Sequence, residues 1–354
     1  MQFANVTLTV GRALERYRGS LRVVRGLILL AAALLGLPFV GNDYLFSAIL
    51  IPFLVLALAG IGLNLLTGYT GQLSVGSAAF MAVGAFAAYG FQLRLSALSL
   101  IVSFGLGGVV AALVGSVFGL PSVRIKGFYL IVSSLAAQFF VEWVFTKFPW
   151  FSNNNASGVI TAPPLVILSY DFASPQGRFQ LTFAIVVLAT IVARNLVSSR
   201  IGRNWMAVRD MDTAAAVIGI PIMRTKLQAF AVSSFYLGLA GALWAFAYLG
   251  TVEPHGFDID LSFQILFIVI IGGLGSLYGP FLGAAFIVLL PIFLNQIAVK
   301  YLSGFLDPGH LENIQKILFG GLIIFFLIRE PEGLARLIRV SQDKLRAWPL
   351  TAAR

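Results

Sequence analysis

The residues that could carry out covalent chemistry are few in this chain, and they lie far apart. It has no cysteine and only two histidines, His255 and His310, so thiolate chemistry and a histidine-rich metal site are excluded. The sequence shows no Ser-His-Asp set, no pair of catalytic carboxylates and no nucleophile elbow. These residue types predict that the chain is not an enzyme and holds no cofactor or metal.

A glycine-rich stretch at 271–285, I-G-G-L-G-S-L-Y-G-P-F-L-G-A-A, could suggest a phosphate-binding loop. Such a loop needs Gly-Lys followed by Ser or Thr, and the dipeptide Gly-Lys occurs nowhere in the chain. We therefore expect no ATP site of that type. The stretch is typical of a tight turn between closely packed helices.

The ionisable residue that stands out is Glu142, which lies in an apolar run with Gln138 one turn earlier. An acid within a membrane span is a functional candidate, but Glu142 lies near the end of its run and could instead pair with Lys147. No series of Asp, Glu and His crosses the apolar runs, which argues against proton coupling. An ion-coupled secondary transporter that depends on Glu142 stays open as an alternative, as does a passive channel.

The elements that position these residues are membrane helices. The chain is 59% hydrophobic and 11% charged, with a mean hydropathy of +0.92, whereas soluble domains contain about 25% charged residues. We predict an all-α polytopic membrane protein with an inverted five-plus-five repeat. Its ten spans are expected at 26–40, 44–67, 75–91, 95–119, 128–146, 179–197, 228–249, 261–275, 280–298 and 314–329.

The distribution of Lys and Arg predicts that both ends of the chain lie in the cytoplasm. With ten spans in this orientation, 19 of the 24 basic residues fall on the cytoplasmic side. The cytoplasmic parts are then the tails 1–25 and 330–354, flanking a permease domain at 26–329, and the segment 200–226. The loops 148–178 and 250–260 lie outside. The net charge of +10 therefore faces anionic lipid and gives no reason to expect nucleic acid.

The segment 200–226 is a charged island between two long apolar runs. Its apolar residues recur every three or four positions, which predicts one surface helix over 203–218, of about four turns and roughly 24 Å long. Gly219 should end that helix, and Pro221 should prevent it from continuing. The apolar face is formed by Trp205, Val208, Met211, Ala215 and Ile218, flanked by Arg209, Asp210 and Asp212. This is either an ordinary charged loop or a docking element for a soluble partner.

Glycines also interrupt the chain at 67–86, where one apolar helix should end and the next begin. Irregular backbone at membrane depth is tolerated where it is buried in protein or lines a cavity. Interrupted segments of this kind indicate a translocation path, although close packing through small residues explains them equally well. The candidate path residues are Gly68, Gly71, Gln72, Ser74, Gly76 and Ser77.

Three of these stretches, taken in order, resemble the permease subunits of branched-chain amino acid ABC importers, of the LivM type. The segment from position 209 reads R-D-M-D-T-A-A-A-V-I-G-I-P-I-M-R-T-K-L-Q-A-F and continues as S-S-F-Y-L-G-L-A-G-A-L from position 233. The others are G-Y-T-G-Q-L-S-V-G-S-A-A-F-M-A-V-G-A-F at 68–86 and V-I-I-G-G-L-G-S-L-Y-G-P-F-L-G-A at 269–284. The resemblance runs from about residue 44 to 290.

The resemblance implies a bacterial inner-membrane importer of amino acids and a set of partners. These are a second, LivH-like permease, two cytoplasmic ATPase subunits that bind ATP and Mg, and a periplasmic binding protein. Its docking segment for the ATPases would include Arg209, Asp210, Asp212, Gly219 and Lys226. The acidic outer loop could contact the binding protein through Glu253 and His255, which could instead simply be solvated.

Two departures from the family pattern bear on these expectations. Asp212 stands where Glu is common, which keeps the charge but shortens its reach. The loop before Pro163 and Pro164 reads N-N-N-A-S-G-V at 153–159, without the paired glycines that are usual there. Since relatives of this group take up urea, short amides or aromatic acids, these substrates remain alternatives to branched-chain amino acids.

Overall fold

The computed structural model describes residues 42–95, 98–124, 128–151, 153, 155, 159–163, 165–167, 170–301, 317, 320–321, 324–325 and 333–336. The predicted tail 1–25 and the predicted first span at 26–40 lie outside the described residues. So do most of the last span, at 314–329, and most of the tail at 330–354. The ten-span count and the orientation therefore stay predictions.

The described chain is mostly helical. Ten α-helices follow one another: α1 Ile51–Thr70, α2 Ser77–Arg94, α3 Leu100–Arg124, α4 Phe128–Lys147, α5 Pro175–Ser198, α6 Arg200–Asp210, α7 Asp212–Val217, α8 Ile222–Leu243, α9 Ile259–Gly272 and α10 Gly279–Tyr301. A π-helical turn, Leu45–Leu50, leads directly into α1, and another, Trp244–Leu249, extends α8. Six of the described helical stretches are long and apolar enough to cross a membrane, which confirms a multi-pass membrane protein.

Helix α1 lies at the centre of the molecule and packs against α5, α8, α9 and α10. Of its 20 residues, 19 are buried inside the protein. A helix with apolar residues on all of its sides, as α1 has, belongs in such a core. Small residues let its neighbours approach closely: a Cβ on Gly60 would lie 2.9 Å from Ile268 Cγ2, and one on Gly62 would lie 2.8 Å from Tyr236 Cβ.

Helices α2, α3 and α8 cross at a second close contact, which glycine makes possible. A Cβ added to Gly84 of α2 would lie 2.2 Å from the carbonyl oxygen of Gly238 in α8. One added to Gly107 of α3 would lie 2.6 Å from the carbonyl oxygen of Gly84. No side chain fits between backbones this close, so the small residues allow the three helices to pack.

Two of the long helices end in a glycine with a left-handed backbone. Gly71 (φ 72°) follows α1, and Gly250 (φ 70°) follows the extension of α8. Side chains other than glycine rarely adopt this conformation. After each glycine comes an irregular segment, 71–76 or 250–258, before the next helix begins. The segment 250–258 contains strand β4 (Thr251–Val252) and a 3₁₀ turn, Pro254–Phe257.

Short strands join the two loops that were predicted to lie outside. Strand β1 (Ile160–Thr161) pairs antiparallel with β4, with Ile160 opposite Val252, while β2 (Val166–Ile167) pairs with β3 (Tyr170–Asp171). Ala162 N also donates to Gly250 O at 2.9 Å. We call this region the loop end, and the opposite end, which holds α6 and α7, the coupling end.

Candidate functional site

The segment at the coupling end folds as two helices, so the predicted single helix over 203–218 is wrong. Its backbone is extended at Met211 (φ −159°, ψ 100°), between α6 and α7. Met211 and Ile218, expected on the buried face, are 61% and 73% exposed. After the break, the chain becomes helical again at Asp212. The carboxylate of Asp212 stabilises the first turn, because it is attracted to the free backbone amides there.

The rest of the predicted pattern is confirmed. Trp205 and Val208 of α6 and Ala215 of α7 are buried, so the apolar face exists but bends at Met211. Helix α6 begins where the Ser199 hydroxyl accepts a hydrogen bond from Ile201 N at 3.2 Å. The positive φ of Gly219 (86°) ends α7, with its amide donating to Ala216 O.

Arg209, at the end of α6, reaches the glycine-interrupted segment. Its Nη1 donates to the carbonyl oxygen of Gly68 in α1 at 2.9 Å. Its Nε and Nη2 lie 2.9 Å and 2.8 Å from Asp210 Oδ1. A Cβ on Gly71 would lie 3.1 Å from Arg209 Cγ, and one on Gly275 would lie 3.4 Å from Nη1. The guanidinium is therefore held between the end of α1 and the turn that precedes α10.

Two more predicted coupling residues lie beside this contact. Asp212 Oδ2 is 3.9 Å from Lys226 Nζ, and the Lys226 side chain is almost completely buried. Gln72 Nε2 donates a long hydrogen bond of 3.5 Å to the backbone oxygen of Lys226. The start of α8 is thus connected both to α7 and to the segment after α1.

Asn64 connects α1 to the turn at 273–278. Its Nδ2 donates to Ser276 O at 2.8 Å, and its Oδ1 accepts from Gly275 N at 2.9 Å. The expected tight turn between packed helices is confirmed: Gly273 and Gly275 have φ of 115° and 72°, and a Cβ on Gly272 would lie 2.1 Å from Gly279 O. Sequence reasoning treated 67–77 and 271–285 separately, but the structure brings them into contact.

The first turn of α2 meets the first turn of α9 deep inside the protein. Ala78 N donates to Ser262 Oγ at 2.9 Å, and Ala79 N donates to Gln138 Oε1 at 2.7 Å. The Ser262 hydroxyl donates to the same Gln138 oxygen at 3.0 Å, and Gln138 Nε2 donates to Phe257 O at 2.9 Å. We call these five residues the junction. All of them are buried.

The six candidate path residues divide between two places. Gly68, Gly71 and Gln72 lie at the coupling end, in contact with Arg209 or Lys226. The other three lead into the junction. Ser74 Oγ accepts from Gly76 N at 3.4 Å, a Cβ on Gly76 would lie 2.5 Å from Ser134 O, and the buried Ser77 hydroxyl has no hydrogen-bond partner.

At the loop end, Glu253 and His255 lie on either side of Pro254, next to β4. His255 is exposed, while Glu253 is partly buried. The indole of Trp244 fixes the following turn, donating from Nε1 to Gly256 O at 3.2 Å. The pairing of β1 with β4 places these residues beside the loop 148–178, the other loop predicted to lie outside.

Sequence reasoning did not select Asn64 or Ser262, and it noted Gln138 only as a neighbour of Glu142. These three residues make the buried polar contacts described above. A signal existed for two of them: Asn64 is the single amide side chain in α1, and Gln138 the single one in α4. A buried amide must find hydrogen-bond partners. Neither the partners nor the role of Ser262 could be read from sequence spacing. Within the described residues, no group of three or more His, Cys, Asp or Glu could hold a metal ion.

The matching family model and the LivM relatives both describe branched-chain amino acid transport permeases. Residues 45–327 match the model of the family described as branched-chain amino acid transport system / permease component. The high-affinity branched-chain amino acid transport system permease protein LivM of Salmonella typhimurium is 27% identical over 311 residues, covering 81% of this chain and 69% of that protein. No solved structure matches the chain significantly.

Two further relatives show the breadth of the similarity. The probable branched-chain amino acid transport permease protein LivM of Methanocaldococcus jannaschii is 25% identical, covering 82% of this chain and 93% of that protein. The autoinducer 2 import system permease protein LsrC of an Enterobacter species is 29% identical, covering 79% and 78%. Permeases with names that indicate different cargo are therefore similar to this chain over most of its length.

Proposed function

Because the chain belongs to the family of branched-chain amino acid transport permeases, we propose that it is the translocation subunit of an ATP-driven importer for branched-chain or other amino acids. As a multi-pass inner-membrane permease of this family, it would work with a second permease, two cytoplasmic ATPases that bind ATP and Mg, and a periplasmic binding protein. The hydrogen bond between Arg209 and the Gly68 carbonyl carries the proposal, because it joins the coupling end to the core helix α1.

The surface of the coupling end suits a protein partner. Met211, Val217, Ile218 and Met223 expose large apolar side chains there, with Val217 87% exposed. Arg209 and Asp210 lie beside them as an exposed charged pair. Apolar residues surrounded by charge are typical of protein interaction sites. We assign this surface to an ATPase subunit. The contact between Asp212 and Lys226 and the turn at Gly219 hold α7 in its position on this surface.

In this proposal the ATPases close on ATP and displace α6 and α7. Arg209 passes the displacement to the end of α1 at Gly68, and Asn64 passes it to the turn between α9 and α10. Because closely packed helices shift between discrete arrangements rather than deforming continuously, the result is a switch between two states. The chain itself performs no chemical step.

The proposed path passes the junction, where the first turns of α2 and α9 meet. Transporters often place broken helices at the substrate site, so that free backbone amides face the solute. Here the Ser262 hydroxyl and the Gln138 side-chain oxygen accept hydrogen bonds from the backbone amides of Ala78 and Ala79, so these amides are not free. Separation of α2 from α9 would free those amides beside the unpartnered Ser77 hydroxyl. The described arrangement then corresponds to a closed path.

At the loop end, the binding protein would deliver the solute to the joined loops, with Glu253 and His255 in its contact area. The named cargo of the LivM relatives supports an amino acid as the solute. The LsrC relatives, named for autoinducer 2 import, show why the family alone does not decide the cargo. Urea, short amides and aromatic acids are therefore competitors to include in an uptake assay.

The test is charge reversal at Arg209, with Arg203 as the matched control. Arg203 lies on the same helix but donates to Ser198 O at the end of α5. In vesicles that contain the complete importer, Arg209→Glu should lower ATP-dependent leucine uptake at least tenfold, because a charge-assisted hydrogen bond is worth about 1.5–3 kcal/mol. Stimulation of ATP hydrolysis by loaded binding protein should fall in parallel.

Arg203→Glu should leave both rates close to wild type. Equal losses of uptake in the two variants would show that the contact between Arg209 and Gly68 has no special role in coupling. Leucine uptake that continues after ATP depletion would overturn the importer proposal itself and favour a channel or an ion-coupled transporter. If the protein is an ion-coupled transporter, uptake should depend on Glu142.

A further inference from the structure

A groove of about 540 Å³ lies between α2, α3 and α4, and none of the coupling or junction residues lines it. This volume falls within the ~300–1,000 Å³ range of small-molecule sites. Its wall is almost entirely apolar and aromatic. The lining side chains at its centre include Phe86, Val110, Val114, Phe118, Val141 and Phe145.

One cation lies at the rim of this groove. Arg94, at the end of α2, lies with its guanidinium carbon 3.8 Å from the centre of the Trp150 ring. Its Nη2 approaches Trp150 O at 3.5 Å, and its Nη1 lies 3.1 Å from the place where a Cβ on Gly90 would be. No carboxylate of the described residues pairs with Arg94, so most of its hydrogen-bond donors remain available.

Large apolar side chains are exposed around the groove. Helices α3 and α4 expose large apolar side chains on either side of it: Leu113, Val117, Phe139, Phe140 and Trp143. In a membrane protein, such a surface contacts lipid tails. Aromatic residues and Arg at a helix end are typical of the depth at which headgroups begin. The groove therefore runs from the headgroup level at Arg94 into the hydrocarbon region.

We propose that this groove binds a phospholipid, with one acyl chain between α2, α3 and α4 and the phosphate on Arg94. The apolar wall matches an acyl chain, and a guanidinium is the side chain best suited to bind phosphate with two parallel hydrogen bonds. A protein partner fits less well, because the wall is almost entirely apolar and the rim offers one cation rather than a mixed polar border. The second permease is the other occupant to be tested.

The test uses the purified permease in nanodiscs and native mass spectrometry. The probes are phosphatidylglycerol and diacylglycerol with the same acyl chains, which differ in the phosphate headgroup. Wild type should retain one phosphatidylglycerol and much less diacylglycerol. Arg94→Gln should lower phosphatidylglycerol retention about tenfold, because hydrogen bonds to charged groups are the strong ones. The exposed Lys147 of α4 is the control, and Lys147→Gln should change nothing.

A second variant tests the groove itself. Gly90→Leu places a side chain in the groove beside Arg94, within a helix where leucine is favourable, so folding should be preserved. It should remove retention of both lipids. Equal retention of both probes by wild type, or equal effects of Arg94→Gln and Lys147→Gln, would overturn the proposal. So would cross-linking to the second permease, in the assembled importer, by a photoactivatable maleimide attached to a cysteine placed at Val114 of this cysteine-free chain.

Discussion

A single amide side chain, Asn64, organises the contact between the two glycine-rich segments. Its side-chain oxygen accepts a hydrogen bond from Gly275 N, and its side-chain nitrogen donates one to Ser276 O. Both partners lie more than 200 positions away along the chain. The amide of Gly275 and the oxygen of Ser276 would otherwise lack these partners at the end of α1. The geometry explains why an amide side chain lies within a largely apolar helix.

Replacing Asn64 should therefore destabilise the fold. Asn64→Ala leaves Gly275 N and Ser276 O without their partners, at about 1–3 kcal/mol for each group that stays buried. Thermal unfolding in detergent should show a lower midpoint. Asn195→Ala, at an exposed position of α5, should leave the midpoint within error of wild type. A normal midpoint for Asn64→Ala would mean that water replaces both hydrogen bonds.

At the scale of elements, the crossing of α2, α3 and α8 depends on the absence of side chains. Gly84→Ala would put a Cβ 2.2 Å from Gly238 O, so the helices must move apart. Overpacking of this kind typically costs about 1–3 kcal/mol. The matched control is Gly105→Ala in α3, where nothing lies within 4 Å of the added Cβ. Gly105→Ala should be neutral or stabilising, since alanine favours helix.

Both variants can be compared by thermal unfolding and by the yield of monodisperse protein. A lower midpoint for Gly84→Ala alone supports the close crossing. Equal midpoints would show that α2 and α8 can separate without loss.

The helical elements were largely predictable, but the way they break was not. Apolar length located the long helices, and Gly219 correctly marked the end of the helix that became α7. The three-and-four spacing continued through Met211, so it predicted a single helix there. This spacing could not predict that the chain bends there, which brings Asp212 close to Lys226. Such breaks depend on tertiary contacts rather than on the local pattern.

At the scale of the whole molecule, the site consists of contacts between distant segments. Arg209 and Gly68 were both selected from sequence, as coupling and path residues, yet nothing in the sequence indicated that they touch across 141 positions. Gln138 and Ser262 meet across 124 positions. Periodicity finds elements, whereas their pairing follows from packing that a single sequence does not display.

The predicted orientation can be tested directly, because the chain has no cysteine. Val217→Cys and His255→Cys place single thiols at exposed positions of the coupling and loop ends. The excess of basic residues predicts that a membrane-impermeant maleimide added to intact spheroplasts labels position 255 and leaves position 217 unlabelled. Labelling should reverse in inside-out vesicles. The opposite result would place the coupling end outside and remove any role for cytosolic ATPases.

The enclosure of α1 has a consequence for how the protein is made. This helix touches protein on every side, but α8, α9 and α10, which cover much of it, are translated at least 150 residues later. During synthesis, α1 must therefore reside in lipid with Asn64 and its close-packing glycines uncovered. An insertion chaperone that shields such a helix until the second half of the chain emerges would protect the nascent permease from aggregation and proteolysis.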